Sequence, residues 1–465
     1  MPALDAISTF VETLDGPSIP TNALTQAASA FRDTLGTMLG GTATTSARIA
    51  AEVARRDVGP VALVAGGTSS SGMAAFANAV AARALDYDDG HYRGGAIHPA
   101  SVIVPTLLAT ALPGVTMDEF LVAHVAGVEV AIRAAYLLWP RHPDGDYHCT
   151  GTAAAMGAAA AGAKVRGLDA DGVARAIATA WAHAPMSAFQ LPMVKEAIGW
   201  SAATAVTAVN LAEAGFMRYR SDHRPSAPDV FPPTPFDRPG AMQDPFVDTW
   251  GTVFEVANTY FKPFAACRYT HAAAGGLRTF MSEQGLGADD IESIEVGTFR
   301  SAVFLDNPRP PTLEHAQYSF QFVLAAIAVH GAAGSGEMSE ARLDDEAMAS
   351  FCDRTTVSYA SDLDELYPAR YPARLAITGR DGSRSELLCE IAPGDSEVPL
   401  TADQLRTKFV ELAAPSLGAA EATSFAADLD EPSGPVADLV ARAYSGSIDT
   451  WAWSTLHSLP RLSQS

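Results

Sequence analysis

Residues 84–105 run A-L-D-Y-D-D-G-H-Y-R-G-G-A-I-H-P-A-S-V-I-V-P. Three carboxylates, Asp86, Asp88 and Asp89, and two imidazoles, His91 and His98, fall within thirteen residues, with apolar helix-like segments on both sides. Upstream, residues 71–85 are rich in Ala and carry Met73, Phe76, Val80 and Leu85 at helical spacing, so a helix is predicted to end at the acids. Carboxylates are disfavoured at that end, where the helix dipole is already negative. Downstream, Pro99 suits the first turn of a second helix and leaves His98 at its N-terminal edge, near unpaired backbone N–H groups. The stretch therefore reads as a loop between two buried helices that carries acid and base groups. Two plainer readings stand beside it. Asp88 and Asp89 can form a solvated turn, and D-x-D-D-x-H can ligate a divalent ion, although neither a calcium loop nor H-E-x-x-H accompanies it. No metal is expected.

Composition narrows the class. The chain has 465 residues, 48% apolar and 18% charged, enough for two well-buried domains or one large helical domain plus a smaller one. A net charge of −22 argues against nucleic acid or an anionic membrane as partner, since both need a cationic surface. It leaves room for a small anionic substrate in a locally positive pocket. Of 31 basic residues only Lys164, Lys195, Lys262 and Lys408 are lysines. Lys195 (Q-L-P-M-V-K-E-A-I-G-W) and Lys262 (T-Y-F-K-P-F) sit in apolar neighbourhoods, where either a tunable ammonium is wanted or a stem is buried with its charge in water. The four cysteines are far apart and form no C-x-x-C pair, so neither a disulfide framework nor a zinc site is indicated. With an acidic N-terminus lacking a signal-type core, and apolar runs read as interrupted short of a spanning length, a cytoplasmic protein is expected.

Along the chain, helices are predicted at about 4–14, 22–38, 46–56, 71–85, 100–111, 117–138, 153–165, 169–184 and 196–214. The stretch 61–72 imitates a phosphate loop without satisfying either glycine pattern and reads as a loop. A second polar island, R-H-P-D-G-D-Y-H-C-T-G-T (141–152), puts Tyr147 and His148 before a helix with Thr150 or Thr152 as possible cap. Residues 218–251, rich in Pro and Asp, read as a long surface loop or crossover. Strand-like runs then appear at 291–299, 355–359, 373–378 and 385–391, the last two forming a hairpin, with helices at 271–284 and 319–333 between them. Helix returns at 401–417 and after Pro435. The predicted fold is mainly α with α+β: an all-helical domain built from 1–258 and 400–465, with residues 259–399 inserted as an α+β lid.

These residues resemble the MmgE/PrpD family, the 2-methylcitrate dehydratase and cis-aconitate decarboxylase group. The resemblance rests on A-A-F-A-N-A-V-A-A-R-A-L-D-Y-D-D (74–89) with H-P (98–99), Y-H-C-T-G-T (147–152), Lys195, F-K-P-F-A-A-C-R-Y-T-H (261–271) and E-H-A-Q-Y-S-F-Q-F (314–322), in order over most of the chain. It implies a helical domain with an inserted α+β lid, usually a homodimer, and cofactor-free chemistry on small di- or tricarboxylic acids. It also implies that Asp86, His98, His148, Lys195 and Lys262 are pocket positions, and that Cys267, Arg268 and His271 belong to a lid motif. Tyr318, in the last of the resembling stretches, joins those three as the expected substrate-binding set. The chain departs from the two best-known activities in three places. Lys195 is followed by E-A-I-G where those enzymes carry a histidine, Phe322 stands at the position of a pocket tyrosine, and the loop from Asp89 to His98 is longer, with Gly90 in place of a hydroxyl residue.

Proton removal α to a carboxylate needs a base near neutrality and fixed cations at the developing charge. His98 and His148 titrate in that range, and a buried Lys195 or Lys262 can be lowered into it. Asp86 is expected to orient a histidine, Tyr147 or a histidine to act as acid, and Lys262 and Arg268 to hold substrate carboxylates, Arg268 through its bidentate fork. The expected activity is a dehydratase-type lyase. The alternatives are an epimerase of an amino- or imino-dicarboxylate, a cis-aconitate-type decarboxylase, and a non-catalytic acid-binding protein.

Overall fold

Three helices in the first half start where a side chain takes one of their orphan N–H groups. Thr44, Ser70 and Asp169 accept from Ala47, Met73 and Gly172 and set the starts of α3 (Thr45–Ala54), α4 (Ser71–Ala84) and α8 (Ala170–Ala182). The computed structural model describes residues 2–138, 149–185, 195–216 and 233–444. The other helices of this half are α1 (Pro2–Thr13), α2 (Thr21–Gly41), α5 (Ala100–Thr110), α6 (Met117–Leu138), α7 (Ala154–Val165) and α9 (Lys195–Glu213). Tyr147 and His148 lie outside the described residues.

The Ala- and Gly-rich α7 is the hub, packing against α5, α6, α8 and α9. Its small residues let backbones come close. A Cβ on Gly157 would sit 2.4 Å from the Gly127 carbonyl oxygen of α6, and one on Gly127 would sit 2.7 Å from that of Gly157. By length and apolarity α6 could cross a membrane, contrary to the expectation that no run is long enough; 89% of its apolar window is buried inside the protein, as the core helix of a bundle.

Two apolar cores form. The first draws on residues 3–261 and again on 405–444, and the second on 264–377 together with Leu85, Tyr87 and Leu412. The second contains a four-stranded sheet in the order β6-β5-β7-β8, with β5 at Ile291–Thr298, β6 at Thr355–Tyr359, β7 at Ala373–Gly379 and β8 at Arg384–Cys389. β5 and β6 run parallel, the other pairs antiparallel, and β7–β8 is the expected hairpin. Alternate residues Ala373, Leu375 and Ile377 of β7 are buried, as in a sheet with one covered face. Behind it lie α10 (His271–Gln284), α11 (Leu313–Gln317), α12 (Phe320–His330) and α13 (Glu346–Cys352). The chain then returns to the first core through α14 (Ala402–Leu417), α15 (Ala419–Asp428) and α16 (Val436–Val440).

Several details differ from the sequence reading. Residues 61–72 contain a small hairpin, β1 (Val61–Ala62) with β2 (Thr68–Ser69), and α13 and α15 were not anticipated. The described part of the proposed surface loop is not all surface: Phe236 and Val247 are buried in the first core, because aromatic and apolar residues pack wherever the chain crosses a core, periodic or not. One short pairing matters for the site. β3 (Asp89–Gly90) joins β4 (Tyr260–Phe261) antiparallel, fastening the acidic loop to the segment that leads into the second core. Gly90 is required there, since a Cβ would lie 2.3 Å from the Tyr260 hydroxyl.

Two stability predictions follow from this packing. Gly157→Ala should destabilise the protein by about 1–3 kcal/mol through overpacking, whereas Gly72→Ala, with nothing within 4 Å of the new methyl, should leave the melting temperature unchanged or raised. Equal effects of the two substitutions in thermal melts would refute the close approach of α6 and α7. His124 of α6 is fully buried with no partner on either ring nitrogen among the described residues, and burial pushes it down to about 4. Its folded value lies below the unfolded one near 6.5, so the unfolded chain binds the proton first as pH falls. The stabilisation is complete above pH 6.5 and is lost progressively towards pH 4, to about 3 kcal/mol. His124→Leu should therefore flatten the stability-against-pH curve between those values in denaturant titrations.

Candidate active site

The acids at the end of α4 are answered by a cation in the helix's own last turn. Arg83 directs Nη1 to Oδ1 of both Asp86 and Asp88, the latter at 2.7 Å. Asp86 takes φ of +51°, a left-handed conformation rare for a residue with a side chain, which turns its carboxylate back beneath the helix end. There Lys262, just past β4 and wholly buried, reaches the Asp86 carbonyl at 3.0 Å and its Oδ1 at 2.9 Å. Asp88 and Asp89 are also buried, so the solvated-turn reading fails. Burial opposes the charge on Asp88, but Arg83, His98 and Lys262 outweigh it and hold the carboxyl well below the usual carboxylate range. Asp89 goes the other way: burial foremost, then Asp88 and Asp33, pushes it well above that range.

His98 hangs from this loop. Its ring Nδ1 faces the Asp89 carbonyl oxygen, and Asp88 Oδ2 lies 3.8 Å from the same nitrogen. A carbonyl only accepts, so Nδ1 carries the proton and Nε2 presents its lone pair. The His98 backbone N–H donates to Thr150 Oγ1 at 3.0 Å. Burial, then Arg83, lowers the imidazole well below its ordinary value, which keeps it neutral.

Lys195 opens α9 and is buried. Its ammonium donates to the Arg83 carbonyl at 2.8 Å and to Gln317 Oε1 at 3.2 Å, while Gln317 Nε2 donates to the Ala84 carbonyl at 3.0 Å. Both side chains thereby tie onto carbonyls at the end of α4, where that of Arg83 also accepts from the Asp86 N–H at 3.0 Å. Burial, then Arg83, pushes Lys195 well below the usual lysine value, and the same two causes lower Lys262. The Cys267 thiol is raised by burial, with Lys262, Arg83 and Lys195 pulling the other way, and its N–H donates to the Gln317 carbonyl at 2.8 Å. Tyr318 is buried, and its phenol bears on the charge of Arg83.

The fold thus brings together Asp86, His98, Lys195, Lys262, Cys267 and Tyr318. It separates others from the roles expected of them. Arg268 is committed to the protein: Nε donates to Tyr92 Oη at 3.0 Å, Nη1 to the Pro393 carbonyl at 3.2 Å and to His271 Nδ1 at 3.1 Å, and Nη2 to Asp395. Its plane also stacks 4.4 Å over Tyr260. It fastens the 392–395 turn to β4 and has no fork to offer a substrate. His271 is likewise closed, since its other nitrogen donates to the Ala266 carbonyl at 3.0 Å. No described histidine is bonded to Asp86, whose Oδ1 takes Arg83 and Lys262; Asp88 and the Asp89 carbonyl stand at His98 instead. The cap of α5 is Asp89, whose Oδ1 accepts from Ala100 at 3.3 Å, and not His98. Phe322, at the expected tyrosine position, packs in the second apolar core.

Sequence reasoning passed over Arg83 and Gln317. For Arg83 a signal existed, a lone cation in the last turn before three acids; Gln317, a polar residue in a five-residue helix, carried none. It also passed over Lys408 of α14, which donates to the carbonyls of Tyr87 at 2.6 Å and Lys262 at 3.0 Å and pairs with buried Asp33 at 2.6 Å, bracing the floor of the site.

Comparison with known proteins agrees with both halves of this architecture. The N-terminal domain model of the MmgE/PrpD family matches residues 5–221, and its C-terminal domain model matches residues 264–430. The chain is similar to the cis-aconitate decarboxylase of Homo sapiens, 24% identical over 365 residues, covering 72% of this chain and 71% of that protein. It is also similar to that of Mus musculus, 25% identical over 363 residues, covering 72% and 70%. With one family model on each side of the acidic loop's junction with β4, and the two together spanning most of the chain, this protein belongs to the MmgE/PrpD family.

Proposed function

We propose that the protein is a lyase acting on a small di- or tricarboxylic acid by proton abstraction α to a carboxylate, without a cofactor. The observation that carries this reading is the state of His98: a neutral imidazole whose Nδ1 is pinned to a backbone carbonyl, with Nε2 uncommitted among the described residues, and with Arg83 and Lys262 bearing on its charge and Lys195 bonded to the Arg83 carbonyl. In a dehydration, Nε2 takes the α-proton, the double bond forms as the bond to the β-hydroxyl breaks, and an acid delivers a proton so that water leaves. Lys195 suits the acid's part, since burial and Arg83 make its ammonium give up a proton readily. The cations hold the carboxylate on which negative charge develops.

A second reading, decarboxylation, is favoured by the names of the two relatives. There the carbon–carboxylate bond breaks first and the same acid protonates the carbanion. An epimerase would need a second base across the substrate from His98, and the relatives give it no support. A proton NMR time course in deuterium oxide, with 2-methylcitrate, citrate, cis-aconitate, tartrate, malate and iminodisuccinate as the panel, separates all three. A new vinylic signal without gas release means dehydration, carbon dioxide means decarboxylation, and a diastereomer without an alkene would overturn the lyase.

Lys195→Ala should lower turnover of the identified acid by about 10²–10⁴-fold with an unchanged far-UV circular dichroism spectrum; near-normal turnover would remove Lys195 from the mechanism. The pH profile tests the base. His98 works when neutral and its value is lowered, so kcat/KM should hold steady as pH falls through 6.5 and decline only further into acid. An acid limb centred at or above 6.5 would exclude His98 as the titrating base.

A further inference from the structure

The anion-binding groups of the site can be sorted by what the protein has already taken from them. Arg268 is fully committed to Tyr92, Pro393, His271 and Asp395. Lys408 is committed to two carbonyls and Asp33. Lys195 and Lys262 each donate to two acceptors, leaving one ammonium hydrogen apiece. Arg83 differs from all of these. Both of its contacts, to Asp86 and Asp88, are made by Nη1, and Nε and Nη2 take no partner among the described residues. Its side chain is 7% exposed. A guanidinium held by one nitrogen presents the remaining edge, Nε–H beside Nη2–H, as a parallel pair of donors. That is the fork that receives both oxygens of one carboxylate.

Position fits as well. Lys195 is bonded to Arg83's own carbonyl, and Arg83 influences the charge of His98, Lys195, Lys262 and Cys267, so it stands among all the groups assigned to the reaction. Asp86 and Asp88 hold its orientation without covering the free edge. We propose that Arg83 is the specificity residue of this site, receiving through Nε and Nη2 the central carboxylate of a tricarboxylic substrate, whose outer carboxylates the two ammonium groups hold. The assignment rests on the acid-binding reading above and replaces the carboxylate role expected of Arg268.

The test uses binding without turnover. Propane-1,2,3-tricarboxylate has three carboxylates and nothing to eliminate; glutarate keeps its two outer ones and lacks the central one. Calorimetric titration of the wild-type protein should give tighter binding of the tricarboxylate by about tenfold or more. Arg83→Lys keeps a charge for Asp86 and Asp88 but loses the fork. It should weaken the tricarboxylate by about 10- to 100-fold while glutarate binding is little changed, so that the preference collapses. Arg83→Gln should behave likewise. Equal weakening of both acids would mean that Arg83 only maintains the site's shape, and unchanged preference would mean that it touches no substrate; either overturns the assignment. If neither variant folds, the wild-type titration decides, because equal affinity for the two acids leaves no extra carboxylate for a fork to hold. A wild-type protein that binds neither acid instead sinks the acid-binding reading on which the assignment depends.

Discussion

Two carboxylates share one nitrogen of Arg83 at the end of α4, and a buried ammonium, Lys262, closes on one of them from the far side. Charges this deep are stabilised only by one another and by hydrogen bonds, so removing any partner leaves a buried charge exposed to a low dielectric. The loop conformation follows from that need. Asp86 adopts a left-handed backbone because an ordinary one would carry its carboxylate away from both cations, and Gly90 must lack a side chain so that the loop can pair with β4 and bring Lys262 into range. Local strain is accepted where the charge network over-determines the geometry.

The same network explains why the two cores meet where they do. Arg83, Asp86, His98 and Lys195 come from elements of the first core, whereas Cys267 and Gln317 come from the second. Gln317 bonds both Lys195 and the Ala84 carbonyl, so the lid side is joined to the helix end by an amide that completes the hydrogen bonding of both. Lys408, from a helix that returns after the whole second core has been built, ties Asp33 of α2 to the backbone beside Asp86 and Lys262. Chain segments separated by hundreds of residues are thus fixed relative to the reacting groups by buried ion pairs and hydrogen bonds.

Much of this was legible because its causes are local. Apolar spacing gave the helices, β-branched runs gave all four sheet strands, and a cluster of ionisable residues between two apolar helices marked the loop. What was not legible depends on who pairs with whom. Nothing local distinguishes Arg268, which is consumed by Asp395 more than a hundred residues away, from Arg83, whose Nε and Nη2 take no partner among the described residues; the carboxylate role expected of Arg268 falls on a guanidinium the protein already holds. Gln317 has no signature because its importance lies in one acceptor contributed by α4 and one donor contributed by α9. Phe236 and Val247 were missed for the same reason in apolar terms: irregular chain has no period, yet it crosses a core that needs filling.

The choice of base is a matter of hydrogen-bond vacancy more than of intrinsic basicity. Four described histidines are buried deeply enough to stay neutral or to be held by partners. His91 accepts from the Gly94 N–H at 3.3 Å on Nδ1, which obliges Nε2 to donate to Glu255 at 3.1 Å, so both nitrogens are in use. His271 accepts from Arg268 on one side and donates to a carbonyl on the other. Among the described residues His124 has no partner on either nitrogen, but it sits in α6 with burial as the cause of its shift and no described charged group bearing on it. Only His98 has one nitrogen fixed by an acceptor, one lone pair uncommitted, and cations beside it to stabilise the carbanion that its action would create. A carbon acid is a weak proton donor until its conjugate base is stabilised, so the base must stand where the cations already are. In the proposed reaction that condition selects His98 among the described residues, and it makes the charge network at the end of α4 part of the chemistry as well as of the fold.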